Sequence, residues 1–119
     1  FPTRRSSDLT AFLAALAERL LPLRVNGGAQ TLIARTPRGW AALFVNNDGF
    51  TKLPTEPEVV DRTRRLRLEV TARFAVAEAR DLLSGRIVRK RLLTAPGGEA
   101  TFRIDVEPGG MRLVEFRER

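Results

Sequence analysis

Between residues 64 and 76 apolar and polar positions alternate: Leu66, Leu68, Val70, Ala72, Phe74 and Val76 are apolar, and Arg65, Arg67, Glu69, Thr71 and Arg73 are polar. A side-chain period of two sends the sets to opposite faces of a β-strand. The run is therefore predicted as a strand with one face in a core and one in water. Full burial of Leu68 or Phe74 contributes about 1.5–3 kcal/mol each. The pattern returns over Ala100–Val106, where Phe102, Ile104 and Val106 alternate with Arg103 and Asp105. Shorter runs at Leu23–Asn26, Gln30–Thr36, Trp40–Asn47, Asp81–Leu83, Ile87–Leu93 and Met111–Phe116 read as further strands. They are punctuated by Asn26-Gly27-Gly28, Pro37-Arg38-Gly39, Ser84-Gly85, Pro96-Gly97-Gly98 and Pro108-Gly109-Gly110, all turn chemistry. Asp48–Asp61, with Pro54 and Pro57, reads as a long loop. Helical spacing occurs only in Thr10–Leu21, where Phe12, Leu13, Leu16 and Leu20 form one stripe. Thr10 stands as its N-cap and Pro22 as its stop. These elements predict a mainly β chain: an antiparallel immunoglobulin-like β-sandwich of about seven strands preceded by one N-terminal helix. No internal repeat or low-complexity segment interrupts it.

Composition narrows the chemistry more than the fold. The chain has 119 residues, 43% hydrophobic and 29% charged, which suits one globular domain with its own core. It has no cysteine and no histidine. Thiolate nucleophiles, zinc–cysteine sites, the commonest general base and the commonest metal ligand are thereby removed. The redox compartment is left unread. No apolar run reaches the roughly 20 residues of a membrane-spanning helix. The net charge is +7, carried mostly by arginine.

The first nine residues, Phe1 to Leu9, show neither period nor apolar face. They resemble, residue for residue, the translation of a widely used short-read sequencing-library adaptor. On that reading residues 1–9 are not native, 10–22 form a helix that is the tail of a preceding domain, and 23–119 form the sandwich. Sequence upstream of Thr10, including a signal peptide or catalytic domain, then belongs to a parent protein. An exported parent suits a polysaccharide degrader.

Three stretches carry a family resemblance. Trp40–Gly49 has a Trp, an apolar run and Asn-Asn-Asp-Gly; Ala79–Gly85 holds Asp-Leu-Leu-Ser-Gly; Val106–Phe116 has Pro-Gly-Gly and then Arg112 before an apolar pair. In order and spacing they resemble the C-terminal β-sandwich accessory domains that follow the catalytic barrel in many bacterial glycoside hydrolases. The resemblance implies a non-catalytic role, with a catalytic domain of the same chain as partner. It transfers no catalytic residue, metal or cofactor to this chain.

Each candidate site has an ordinary reading beside the functional one. Asn46, Asn47, Asp48 and Gly49 supply hard oxygen ligands of the kind calcium takes, and Asn46, Asn47, Asp48 and Phe50 are candidate ligand or domain contacts. The ordinary reading is turn chemistry, in which Asn and Asp bond their own main chain. Asp48, Glu56, Glu58 and Asp61 crowd one loop, but a glycosidase pair needs a desolvated acid at fixed separation, which a proline-bearing loop provides poorly. Trp40 is either a sugar platform or the edge of the core. The stripe Phe12, Leu13, Leu16 and Leu20 is the candidate domain-docking face. Arg62, Arg64, Arg65, Arg67, Arg73, Arg86, Arg89, Lys90 and Arg91 offer affinity for polyanions. No nucleic-acid-binding motif accompanies them, so no specific nucleic-acid partner is expected. The expected function is a structural domain packed on a carbohydrate-active enzyme; the alternatives are a carbohydrate-binding module and a basic polyanion binder.

Overall fold

A computed structural model describes residues 2–90 and 99–119. The helix α1 (Pro2–Leu20) leads into β1 (Leu23–Asn26), β2 (Gln30–Thr36), β3 (Gly39–Val45), β4 (Phe50–Thr51) and β5 (Val59–Val60). A single 3-10 turn at Arg62–Arg64 follows, then β6 (Leu66–Ala72), β7 (Val76–Asp81), β8 (Ile87–Val88), β9 (Ala100–Val106) and β10 (Met111–Glu118). Two antiparallel sheets result. One has the order β1-β6-β9, the other β2-β3-β10-β7-β8, and β4 and β5 form a separate hairpin. The predicted β-sandwich is the observed architecture. The expected Pro96-Gly97-Gly98 turn and the end of the Ile87–Leu93 strand lie outside the described residues.

Alternation builds the core directly. Leu68, Val70 and Ala72 of β6 face inward beside Phe102, Ile104 and Ala100 of β9, while Ala42, Phe44, Val114, Phe116 and Ala79 come from the five-stranded sheet. Phe102 and Phe116 join the two layers edge-to-face, with ring centroids 5.3 Å apart at 67°.

Several boundaries differ from expectation. The Asp81–Leu83 run predicted as a strand is the end of β7 and the turn after it, because the Asp81 carboxylate accepts from the Leu83 and Ser84 N–H groups, and the predicted loop Asp48–Asp61 pairs with itself as β4 and β5. The strand predicted over 64–76 is divided: β6 ends at Ala72 and β7 begins at Val76 in the other sheet. Phe74 and Val76 keep the same parity through this corner, so periodicity holds no trace of it. The Arg73 N–H donates to the Pro22 carbonyl (2.9 Å), pinning the corner to the start of β1.

The helix also begins earlier than predicted. Pro2 is its first residue, where a fixed φ and a missing N–H cost nothing. Thr10 therefore lies inside the helix and is not its N-cap. The C-terminal stop at Pro22 is as expected. None of the described strands packs along the helix. Ala14 and Ala17 of its C-terminal half, and Leu21 just after it, share a groove with Leu23, Val25 and Arg73 at the edge of β1. Phe12 is 62% exposed and Leu20 71% exposed, so the apolar stripe is left uncovered.

Candidate functional site

Asn46 follows β3 on the core side and is 1% exposed. Its Nδ2 donates to the Arg64 carbonyl (2.9 Å) and the Val106 carbonyl (3.1 Å), and its Oδ1 accepts from the Asp48 N–H (3.0 Å). Gly49 has φ +77°, and a Cβ there would sit 2.6 Å from Arg64 Cβ and 2.9 Å from the Asp61 carbonyl oxygen. Only glycine fits this left-handed, crowded place. The Gly49 carbonyl accepts from the Asp61 N–H (2.7 Å), closing the base of the β4–β5 hairpin. Asp61 Oδ1 in turn accepts from the Thr63 N–H and hydroxyl, and these bonds hold its carboxyl below the ordinary carboxylate range. Asn46, Gly49, Asp61 and Arg64 thus fasten the 46–64 segment across the end of the sandwich.

The other members of the cluster are superficial. Asn47 Nδ2 donates to Gln30 Oε1 (2.9 Å). Asp48 Oδ1 accepts from the Gly49 N–H, and its Oδ2 lies 3.6 Å from Arg64. Asn46 and Asp48 oxygens therefore already have protein donors, which is turn chemistry and a poor cage for a cation. Phe50 pairs through its backbone with Val60. Glu58 lies 3.8 Å from Lys52 at the exposed tip, well away from the fastener in bonding terms. The loop carboxylates are exposed, and the downward hold on the Asp61 carboxyl is opposite to what a general acid needs.

Trp40 is half-buried at the rim. The Arg35 guanidinium lies 5.1 Å from its ring centroid, and Glu118 fixes that guanidinium at 2.6 Å. This cation–π contact covers one face of the ring, which a sugar would otherwise stack on.

A surface unread in the sequence emerges from strand register. On the outer face of the five-stranded sheet, Leu32 of β2 sits opposite Leu43 of β3, which sits opposite Leu113 of β10. Val45 and Met111 form the next pair along, and Ala34 and Ala41 the previous one. Leu32 is 70% exposed and Met111 57%. Beside this apolar half runs an ionic ladder: Arg117 donates to Glu115 (2.9 Å) and Glu78 (3.0 Å), and Arg80 to Glu78 (2.9 Å). The outer face of the three-stranded sheet is different in kind, carrying Arg67, Glu69, Thr71, Thr101, Arg103 and Asp105. Its signal was present: β3 is apolar at both parities from Trp40 to Val45, the mark of a strand covered on both faces.

Comparison with protein-family models, with curated proteins and with solved structures finds no match to this chain.

Proposed function

We propose that this chain is a non-catalytic C-terminal accessory β-sandwich of a larger, glycoside-hydrolase-like enzyme, and that its work is to pack against the catalytic domain. The observation that carries the reading is the Leu32–Leu43–Leu113 row with Val45 and Met111, an apolar patch on one outer face only. Broad exposed apolar patches mark interfaces. The uncovered stripe of Phe12, Leu13, Leu16 and Leu20 supports the same reading, because a helix holds such a stripe for something to cover. The three motif stretches supply the class of parent. Their hydrogen bonds support a structural role: Asn46 and Gly49 fasten a loop, and Asp81 anchors the turn of the Asp-Leu-Leu-Ser-Gly hairpin.

The test is to recover the coding DNA upstream of the Thr10 codon and express the longer protein. An in-frame barrel-type domain that protects the β2, β3 and β10 amides from hydrogen exchange, relative to residues 10–119 alone, bears the reading out. A start codon immediately before Thr10, or a catalytic domain that leaves these strands unprotected, overturns it.

A further inference from the structure

The arginines differ in how closely a carboxylate neutralises them. Arg35, Arg65, Arg80, Arg112 and Arg117 each lie within 2.9 Å of a carboxylate oxygen. Arg86, Arg89 and Arg103 have no carboxylate partner among the described residues, and all three line one groove of about 610 Å³. Arg112 lines it too, and Asp81 is its only carboxylate. That carboxylate is engaged: Oδ2 accepts from Arg112 Nε, and Oδ1 from the Leu83 and Ser84 N–H groups (2.9 and 3.0 Å). The groove therefore holds a surplus of positive charge with nothing of its own to neutralise it.

The frame that gathers these guanidiniums is fixed by hydrogen bonds. Asp81 shapes the turn that carries Arg86, and the Gly85 carbonyl accepts from Arg80 (3.2 Å). Lys90 Nζ donates to the Val76 carbonyl (2.9 Å), and a backbone bridge joins Lys90 to Phe102. This bridge carries the chain after β8 across to β9, setting Arg89 beside the strand of Arg103. Leu83, Ile87 and Met111 form apolar walls.

We propose that this groove binds the anionic groups, carboxylate or sulfate, of an acidic polysaccharide. Guanidinium forks match both anions through paired N–H donors. An open groove suits a passing polymer better than an enclosed small molecule, which is held in a deep, mostly buried pocket. Stacked bases need an aromatic platform, and no aromatic side chain is among the residues that line the groove. The choice of polymer rests on the accessory-domain reading above; the anion site itself rests on the groove.

Binding of the full chain to polygalacturonate, dextran sulfate, neutral dextran and an oligothymidylate is measured at 0.15 M salt (about the physiological ionic strength). The variant Arg86→Glu/Arg89→Glu/Arg103→Glu is compared with Arg19→Glu/Arg62→Glu/Arg119→Glu, which changes the net charge equally at exposed sites outside the groove. The groove variant is expected to lose at least about tenfold in affinity for one or both acidic polymers, and the control less than about threefold. The polymer that responds identifies the anion. Equal losses in both variants reduce the effect to bulk charge and overturn the site, as does wild-type protein that binds neither acidic polymer. Tighter binding of the oligothymidylate than of either polysaccharide overturns the choice of partner. The slope of log affinity against log salt, shallower in the groove variant alone, is the second readout. Failure of the parent-domain reading is seen separately, in the exchange pattern of β2, β3 and β10.

Discussion

Arg112 and Asp81 connect three strands: the Arg112 Nε donates to Asp81 Oδ2 between β10 and β7, and its Nη1 donates to the Asp105 carbonyl of β9 (3.0 Å). Burial pushes the Asp81 carboxyl up, but the Ser84 N–H, Arg112 and the Leu83 N–H outweigh it, so its pKa ends below the ordinary value. A folded-state pKa depressed below the unfolded one adds stability above the unfolded pKa and loses it as pH falls through the folded value. Stability should therefore decline below about pH 4. Asp81→Asn should flatten that acid limb and cost about 2–3 kcal/mol at neutral pH. Denaturant melts of both proteins from pH 2 to pH 7 check this; parallel curves would show that Asp81 is not the group responsible.

The loop fastener predicts a hierarchy among glycines. Gly49→Ala places a Cβ against Arg64, Asp61 and Pro108 at a left-handed φ, whereas Gly28 and Gly85, also at positive φ, have open space around them. The Gly49 variant is expected to lose about 2–4 kcal/mol and the Gly28 variant about 1 kcal/mol. Asn46→Ala, which takes the Asn46 donor from the Arg64 and Val106 carbonyls, should cost about 1–3 kcal/mol. Added calcium should leave the Tm of the unsubstituted chain unchanged, because the oxygens of Asn46 and Asp48 already accept from backbone N–H groups. Thermal melts with and without calcium separate fastener from metal site.

Phe102 and Phe116 are both fully buried and meet edge-to-face across the sandwich. Either one replaced by alanine should lose about 3–5 kcal/mol. A double-mutant cycle should recover a coupling of about 0.5–1.5 kcal/mol for the ring pair. A coupling near zero would mean that the two rings are buried independently and do not tie the layers together.

How much of this was legible in the sequence depends on the range of the cause. The spans of β1, β2 and β9 follow from local alternation and turn residues, and the structure returns them at the predicted residues. The Arg73–Ala75 corner was hidden because Phe74 and Val76 continue the parity while the chain changes sheets. Asn46 was legible as turn chemistry through its bond to Asp48. Its grip on Arg64 and Val106, 18 and 60 residues away, depends on tertiary placement. The leucine row is a register effect: Leu32, Leu43 and Leu113 become neighbours only once β2, β3 and β10 are paired. The arginine groove has the same origin, since Arg86 and Arg103 come to line one groove only with Lys90 bridged to Phe102.

The two uncovered apolar surfaces should differ in what they contribute to the isolated chain. Removing residues 2–20 should lower the Tm of the sandwich little, because the C-terminal half of α1 shares a groove with β1 and none of the described strands packs along the helix. Leu32 lies on the edge strand β2, exposed, so Leu32→Lys should change stability by no more than about 0.5 kcal/mol. Both changes remove exposed apolar surface, and both should reduce binding of a hydrophobic dye and self-association at high concentration. The lysine has a further effect, since charge on an edge strand opposes strand-to-strand pairing. Light scattering and dye fluorescence, read beside the melts, check these outcomes. A large loss of stability on truncating the helix would show that α1 belongs to the sandwich's own core, and the helix would then have no free stripe to offer another domain.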